Sequence, residues 1–165
     1  ALNARLEGDT IVMFHAVHIG LAVDTERGLL VPVLRDVQAK TVRQIARESA
    51  QLVERVRAGK ATADDLRGST FTITNLGMYE IDAFTPIVNP PECAILGVGR
   101  IVPKQVVIDA EAVGGPHEYT EKVAVRQMVF LSLTFDHRLV DGAPAARFLQ
   151  RVKQYVERPY LWLVG

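Results

Sequence analysis

Two apolar runs, Val17 to Val23 and Leu29 to Leu34, flank the polar turn Asp24-Thr25-Glu26-Arg27-Gly28. Each is too short for a typical helix, and each is nearly continuous in apolar residues. That pattern predicts paired strands in a sheet covered on both faces. Gly28 supplies the positive φ that such a turn often needs. Pro32 counts against a central place for the second strand, because proline cannot donate to the ladder. An amphipathic stretch follows from Thr41 to Ala58. Thr41 and Gln44 have capping-box spacing, and Gly59 is placed to end the helix. Val42, Ile45, Ala46, Ser49, Val53 and Val56 form its apolar stripe, and the basic run on the remaining surface reads as a solvated face. Strands followed by a covering helix point to an α/β fold.

The same reading extends down the chain. Thr62 to Leu66 is a short helical turn. Thr70 to Asn75 alternates, with Phe71 and Ile73 on one face and Thr70, Thr72 and Thr74 on the other. Leu76-Gly77-Met78 is a sharp exit from that strand. Asn89-Pro90-Pro91 is a rigid turn, and Cys93 to Val102 is a buried strand. Val106 to Ile108 pairs with Val123 to Val125 across a surface loop, Asp109 to Thr120, marked by Gly114-Gly115-Pro116. Val129 to Phe135 alternates again. A last helix runs from Ala143 to Glu157, with Pro144 in its first turn. Its apolar stripe is Ala145, Phe148, Leu149, Val152 and Val156, and Pro159 stops it.

Composition excludes several classes. The 165 residues carry 19 basic and 19 acidic side chains, and 48% of the chain is apolar. That balance excludes a disordered chain, and the zero net charge argues against a nucleic-acid partner. With Cys93 as the one cysteine, neither an internal disulfide nor a four-cysteine zinc site can form, which fits a reducing compartment. Ala1 to Thr10 is no signal peptide, and the longest apolar stretches fall far short of a membrane span.

The segment with most chemical content is Asp136-His137-Arg138-Leu139-Val140-Asp141-Gly142, at a strand-to-helix junction. Irregular segments held by rigid elements commonly carry catalytic groups. A histidine there can act as a general base near neutral pH. A carboxylate four residues on, Asp141, can orient the loop or the imidazole. Read by itself, His137 is as well explained as a surface or core histidine.

His-Arg-Leu-Val-Asp-Gly resembles the His-Arg-x-x-Asp-Gly signature of the dihydrolipoamide acyltransferases, the core components of 2-oxo acid dehydrogenase complexes. Three further stretches resemble that family in the same order: Gly20 to Val33, Gly68 to Gly77 and Pro86 to Gly99. The resemblance as a whole covers essentially the whole chain. The shorter His-x-x-x-Asp-Gly pattern is shared with chloramphenicol acetyltransferase. The resemblance implies an α/β fold with a mixed β-sheet covered by helices, a chloramphenicol-acetyltransferase-like two-layer sandwich. It makes residues 1–165 a partial catalytic domain, roughly the last two-thirds of the family's, and the absent initiator methionine at Ala1 fits that truncation.

The resemblance also implies a reaction, acyl transfer between a lipoyl thioester and coenzyme A. His137 would take the proton from the attacking thiol. Thr74, at the hydroxyl position of the family's Phe-Thr-x-(Ser/Thr)-Asn motif, would donate to the oxyanion. Asp141 would stabilise the loop and its hydrogen bonds. Coenzyme A is then a substrate, the lipoyl group arrives on a separate lipoyl domain, and no metal is required. His137 and Thr74 would come from neighbouring subunits of a homotrimer, itself built into a larger core, so that a lone monomer would be inactive. The implied partners are the decarboxylase and dihydrolipoamide dehydrogenase components, with no membrane and no nucleic acid. The implied location is the cytoplasm, or the mitochondrial matrix in a eukaryote. The motifs do not name the acyl group, with acetyl or branched-chain favoured over succinyl. Two other readings stay open: a non-catalytic assembly fragment of such a core, and a stand-alone acetyltransferase with the same histidine chemistry.

Weaker signals lead elsewhere. His15 and His18 have His-x-x-His spacing, but on a strand they would point to opposite faces, which does not make a metal site. Cys93, among Ala94, Ile95 and Leu96, reads as a buried apolar cysteine. Gly97-Val98-Gly99 lacks the third glycine of a dinucleotide fingerprint.

Overall fold

A computed structural model describes residues 2–112 and 119–163. In chain order the strands are β1 (Ala4–Glu7), β2 (Thr10–Met13), β3 (Ile19–Leu21), β4 (Val23–Thr25), β5 (Gly28–Leu30), β6 (Val33–Leu34), β7 (Phe71–Asn75), β8 (Ala94–Val98), β9 (Val102–Ala112), β10 (Tyr119–Met128) and β11 (Leu131–Phe135). The two α-helices are α1 (Val42–Arg57) and α2 (Gly142–Glu157). Five strands form a mixed sheet in the order β11-β8-β7-β3-β6. β7 runs parallel to β3 and β8, whereas β6 and β11 are antiparallel to their neighbours. The fold is therefore α/β, as the pattern predicts.

The first two apolar runs do pair across the Asp24–Gly28 turn, but each is split in two. Near the turn, β4 and β5 form a separate two-stranded ribbon. Further back, β3 pairs with β6 inside the sheet. The ladder breaks at Ala22 and Pro32. The Ala22 N–H donates to the Ile73 carbonyl of β7 at 2.9 Å, and the Pro32 carbonyl accepts from Leu21 at 2.8 Å. Pro32 thus sits where no N–H is asked of it, beside the edge strand β6, which is the place proline tolerates.

Alternation decides which face meets which helix. Phe71 and Ile73 of β7, Ala94, Leu96 and Val98 of β8, and Leu131, Leu133 and Phe135 of β11 share one face and pack with Ala145, Phe148 and Leu149 of α2. The Phe71 and Phe148 rings lie 5.8 Å apart between centroids. On the other face, an extended segment helps to cover the sheet. A Cβ on Gly97 would stand 3.0 Å from the Phe84 ring, and one on Gly99 only 1.8 Å from the Asp82 carbonyl oxygen. Close approach of the Phe84 ring at Gly97 and of the Asp82 backbone at Gly99 explains why neither carries a side chain.

The helix α1 starts as the capping box predicts. Gln44 N–H donates to Thr41 Oγ1 at 3.3 Å, and Thr41 N–H donates to Gln44 Oε1 at 2.8 Å. Its buried face is rotated from the expected stripe. Leu52 and Val56 are the buried residues, while Val42 is 57% exposed. Leu52 belongs to the row Ile45–Ser49–Leu52–Val56, and Val42 lies in the first turn, beyond the edge of the sheet contact. In α2, Val156 is likewise exposed, because the helix runs past its sheet contact.

Other boundaries differ locally. β8 ends at Val98, because Gly99 and Arg100 turn to bond Phe130 and Ile81. β11 starts at Leu131 rather than Val129. The Val107–Val123 pairing is present, but the ribbon is longer than expected, with strands reaching Ala112 and resuming at Tyr119. Gly114-Gly115-Pro116 lies outside the described residues. The hairpin β1–β2 has no counterpart in the apolar pattern, and His15 and His18 lie in the connection to β3 rather than on a strand.

Candidate active site

The segment after β11 folds back on itself before α2 begins. Asp136 N–H donates to the Cys93 carbonyl at 2.8 Å, which ties the turn to the start of β8. The Asp136 carbonyl accepts from Leu139 and Val140 at 3.0 and 3.2 Å. Its carboxylate accepts the Arg138 N–H at 3.0 Å, an Asx turn, and receives the Arg138 guanidinium through Nε and Nη2. Arg138 holds the Asp136 carboxyl below the usual carboxylate range. The Asp-x-Arg spacing carries this pairing in the sequence, but spacing alone does not reveal that the turn brings the two together.

His137 stands at the apex of this turn. Its side chain is 71% exposed and its ring lies 5.7 Å from that of Phe135. Asp141 is the N-cap residue of α2, and its carboxylate makes no side-chain cap bond to the helix. The Asp141 Oδ1 to His137 Nδ1 distance is 3.8 Å, within ion-pair range and too long for a hydrogen bond. Nδ1 is thus the ring nitrogen in ion-pair range of Asp141.

Thr74 is elsewhere. It lines an open groove of about 600 Å³ together with Asp24, Ser49, Val53, Leu76 and Tyr79. The groove lies between the C-terminal end of β7, the β4–β5 ribbon and α1. The Tyr79 hydroxyl donates to Asp24 Oδ2 at 2.8 Å, which pushes the phenol's pKa up. Sequence reading missed this pair, because its members are 55 residues apart.

Strand register shows how far the two ends are separated. Thr74 pairs with Gly97, and Gly97 with Ser132. β11 then runs from Ser132 to Phe135 before the turn, roughly 10 Å along the strand, and two strand spacings add roughly 10 Å sideways. Thr74 and His137 therefore sit at opposite ends of the sheet. Within one chain they cannot touch the same reacting atom.

A family model of the 2-oxoacid dehydrogenases acyltransferase catalytic domain matches residues 1–164. The chain belongs to that family. It is 41% identical over 159 residues to the dihydrolipoyllysine-residue acetyltransferase component of the acetoin cleaving system of Bacillus subtilis (strain 168), covering 96% of this chain and 37% of that protein. It is 40% identical to the succinyltransferase component of the 2-oxoglutarate dehydrogenase complex of Bartonella vinsonii subsp. berkhoffii, over 96% of this chain and 36% of that protein. The solved cubic core of a pyruvate dehydrogenase multienzyme complex matches with a TM-score of 0.85 and 41% identity, over 98% of this chain and 63% of that one. The chain thus spans little more than a third of the length of these curated relatives.

Proposed function

We propose that this chain is acyltransferase catalytic machinery, which moves an acyl group from a lipoyl thioester to the thiol of coenzyme A. The observation that carries this reading is the His137 turn of a family member. It holds an exposed imidazole at the tip of a loop tied back to the sheet through Cys93, with the Asp141 carboxylate 3.8 Å from Nδ1. His137 takes the proton of the coenzyme A thiol, because the thiolate is the nucleophile. The sulfur attacks the acyl carbonyl and the oxygen becomes an oxyanion. The Thr74 hydroxyl donates a hydrogen bond to that oxyanion. Collapse breaks the bond to the lipoyl sulfur, which leaves as a thiolate and takes the proton back from His137. Asp141 favours the imidazolium while it exists.

The positions of the two groups set a condition on this chemistry. His137 of one copy and the Thr74 groove of another complete one site, which places the lipoyl arm and coenzyme A between subunits of a trimer within a larger core. The β9–β10 ribbon supports association. Val107, Val123 and Val125 are more than half exposed on a two-stranded sheet, a form marginally stable by itself. The lipoyl group comes on its own domain, and the decarboxylase and dihydrolipoamide dehydrogenase components supply and recycle it. The acyl group is set by pocket shape. Acetyl and succinyl relatives stand at 41% and 40% identity, too close to choose between them, and one methylene is worth only about 1–3 kcal/mol of discrimination.

The test is thiol release from a dihydrolipoamide thioester with coenzyme A as acceptor, run alongside sedimentation. Turnover confined to the assembled fraction is the expected result. Assembly without turnover would favour a scaffold, and turnover with a small alcohol or amine but no lipoyl thiol would favour a stand-alone acetyltransferase.

A further inference from the structure

Beside the packing of Leu139 and Val140 in the core, the turn that carries His137 is tied to the sheet by the backbone bond from Asp136 N–H to the Cys93 carbonyl. Cys93 is itself fully buried in the core at the entry to β8, and Glu92 stands directly before it. Glu92 is 4% exposed, an unusual place for a carboxylate that forms no ion pair among the described residues. Its Oε1 accepts from the Ser69 hydroxyl and from Asn89 Nδ2, the latter at 3.1 Å. Its own N–H donates to the Asn89 carbonyl at 3.0 Å. Ser69 lies just before β7, and Asn89 opens the turn into β8. Glu92 therefore clamps together the entry points of the two strands at the His137 end of the sheet. Its Oε2 is buried with no hydrogen-bond partner among the described residues.

We infer that Glu92 is a positioning residue for the His137 turn, acting through Cys93 and Asp136 rather than by touching substrate. Burying a carboxylate with so few partners is costly, and what the fold gains in return is a rigid platform under the catalytic loop. The geometry makes a specific demand. Both bonds from neighbouring side chains arrive at Oε1, so one acceptor oxygen at that point is what the clamp requires. Glutamine keeps that oxygen; alanine removes it.

The inference rests on the acyl-transfer role of His137, and the experiment separates the two. Acyl transfer to coenzyme A and backbone amide exchange are measured on the assembled protein as wild type, Glu92→Gln and Glu92→Ala. A small displacement of a catalytic group can cost about a hundredfold in rate. Glu92→Ala should lower kcat by about tenfold to a hundredfold, with the KM for coenzyme A unchanged. It should also speed exchange of the Asp136 amide while leaving α1 amides as they were. Glu92→Gln should restore both. An Asp136 amide equally protected in Glu92→Ala overturns the inference, as does a glutamine variant no better than alanine. If the wild type transfers no acyl group, the acyl-transfer reading falls, and the exchange measurement still decides the role of Glu92. Should Glu92→Ala fail to fold, Ser69→Ala removes one of the two donors. Unchanged Asp136 exchange in that variant overturns the inference equally.

Discussion

The two ends of the central sheet hold their reactive groups in opposite ways. At one end His137 stands on a turn, 71% exposed, held by backbone bonds and by the Asp136–Arg138 pair. At the other, Thr74 sits on a strand and faces a groove walled by α1 and the Tyr79–Asp24 pair. A proton carrier gains from an accessible position, whereas an oxyanion donor must already point where charge will appear. β-Branched Thr74 suits the second task because its χ1 is restricted. Neither end encloses its group by itself: His137 is exposed and the Thr74 groove is open. The division of labour makes sense if each end closes over the other's counterpart on a neighbouring copy.

The largest expected effect comes from the base. His137→Ala should lower kcat by about a thousandfold, the scale of a lost general base. Thr74→Ala should lower it by about a hundredfold with KM nearly unchanged. A change confined to KM would make Thr74 a substrate-positioning group instead. Mixing tests the comparison directly. When the two variants are co-assembled at equal amounts, about a quarter of the inter-subunit sites pair an intact His137 with an intact Thr74. Recovery to about a quarter of wild-type turnover is expected from random co-assembly. No recovery would mean that both groups serve from one chain, contrary to the strand register.

A smaller effect belongs to the His137 end alone. Arg138 depresses the Asp136 carboxyl, so the pairing stabilises the turn fully above the ordinary carboxylate value, about 3.9, and is lost as pH falls through the depressed one. Arg138→Gln removes that contribution. At neutral pH the amides of Leu139 and Val140 should exchange faster in the variant than in wild type. The difference should close in strong acid, where Asp136 is protonated in both. A difference that persists there would assign the effect to Arg138 packing instead of charge.

The sequence carried the chemistry at these two ends more clearly than their placement. Strand alternation put Phe71 and Ile73 opposite Thr72 and Thr74, and the core confirms it. The capping box located α1 to the residue. These are local signals, decided by neighbours within four positions. The split of the first hairpin was not legible, because it depends on Ala22 bonding to a strand some fifty residues on. The same holds for the Tyr79–Asp24 wall, the Glu92 clamp and the rotated face of α1, where contact with β4 and β6 selects Leu52 over Val42. His137, Asp141 and Thr74 are singled out as candidates by motif resemblance alone. Their opposite positions follow only from the register of β7, β8 and β11.

The smallest effect belongs to the Thr74 end and tests whether the two ends are independent. Thr41→Ala removes the acceptor for the Gln44 N–H at the start of α1. Loss of such a cap costs about 1 kcal/mol, a fall in Tm of roughly 2–4 °C for a chain of this size. The helix walls the groove through Ser49, Ala50 and Val53, several turns from the cap, so the loss should appear as fraying of the first turn. Amides of Ile45 and Ala46 should exchange faster, with a slight rise in KM and little change in kcat. The Asp136 amide should keep its wild-type protection, because its anchor runs through Cys93 and not through α1. If Thr41→Ala loosens Asp136 as much as Ile45, the sheet transmits strain from one end to the other. His137 and Thr74 would then have to be treated as one coupled element, despite their separation.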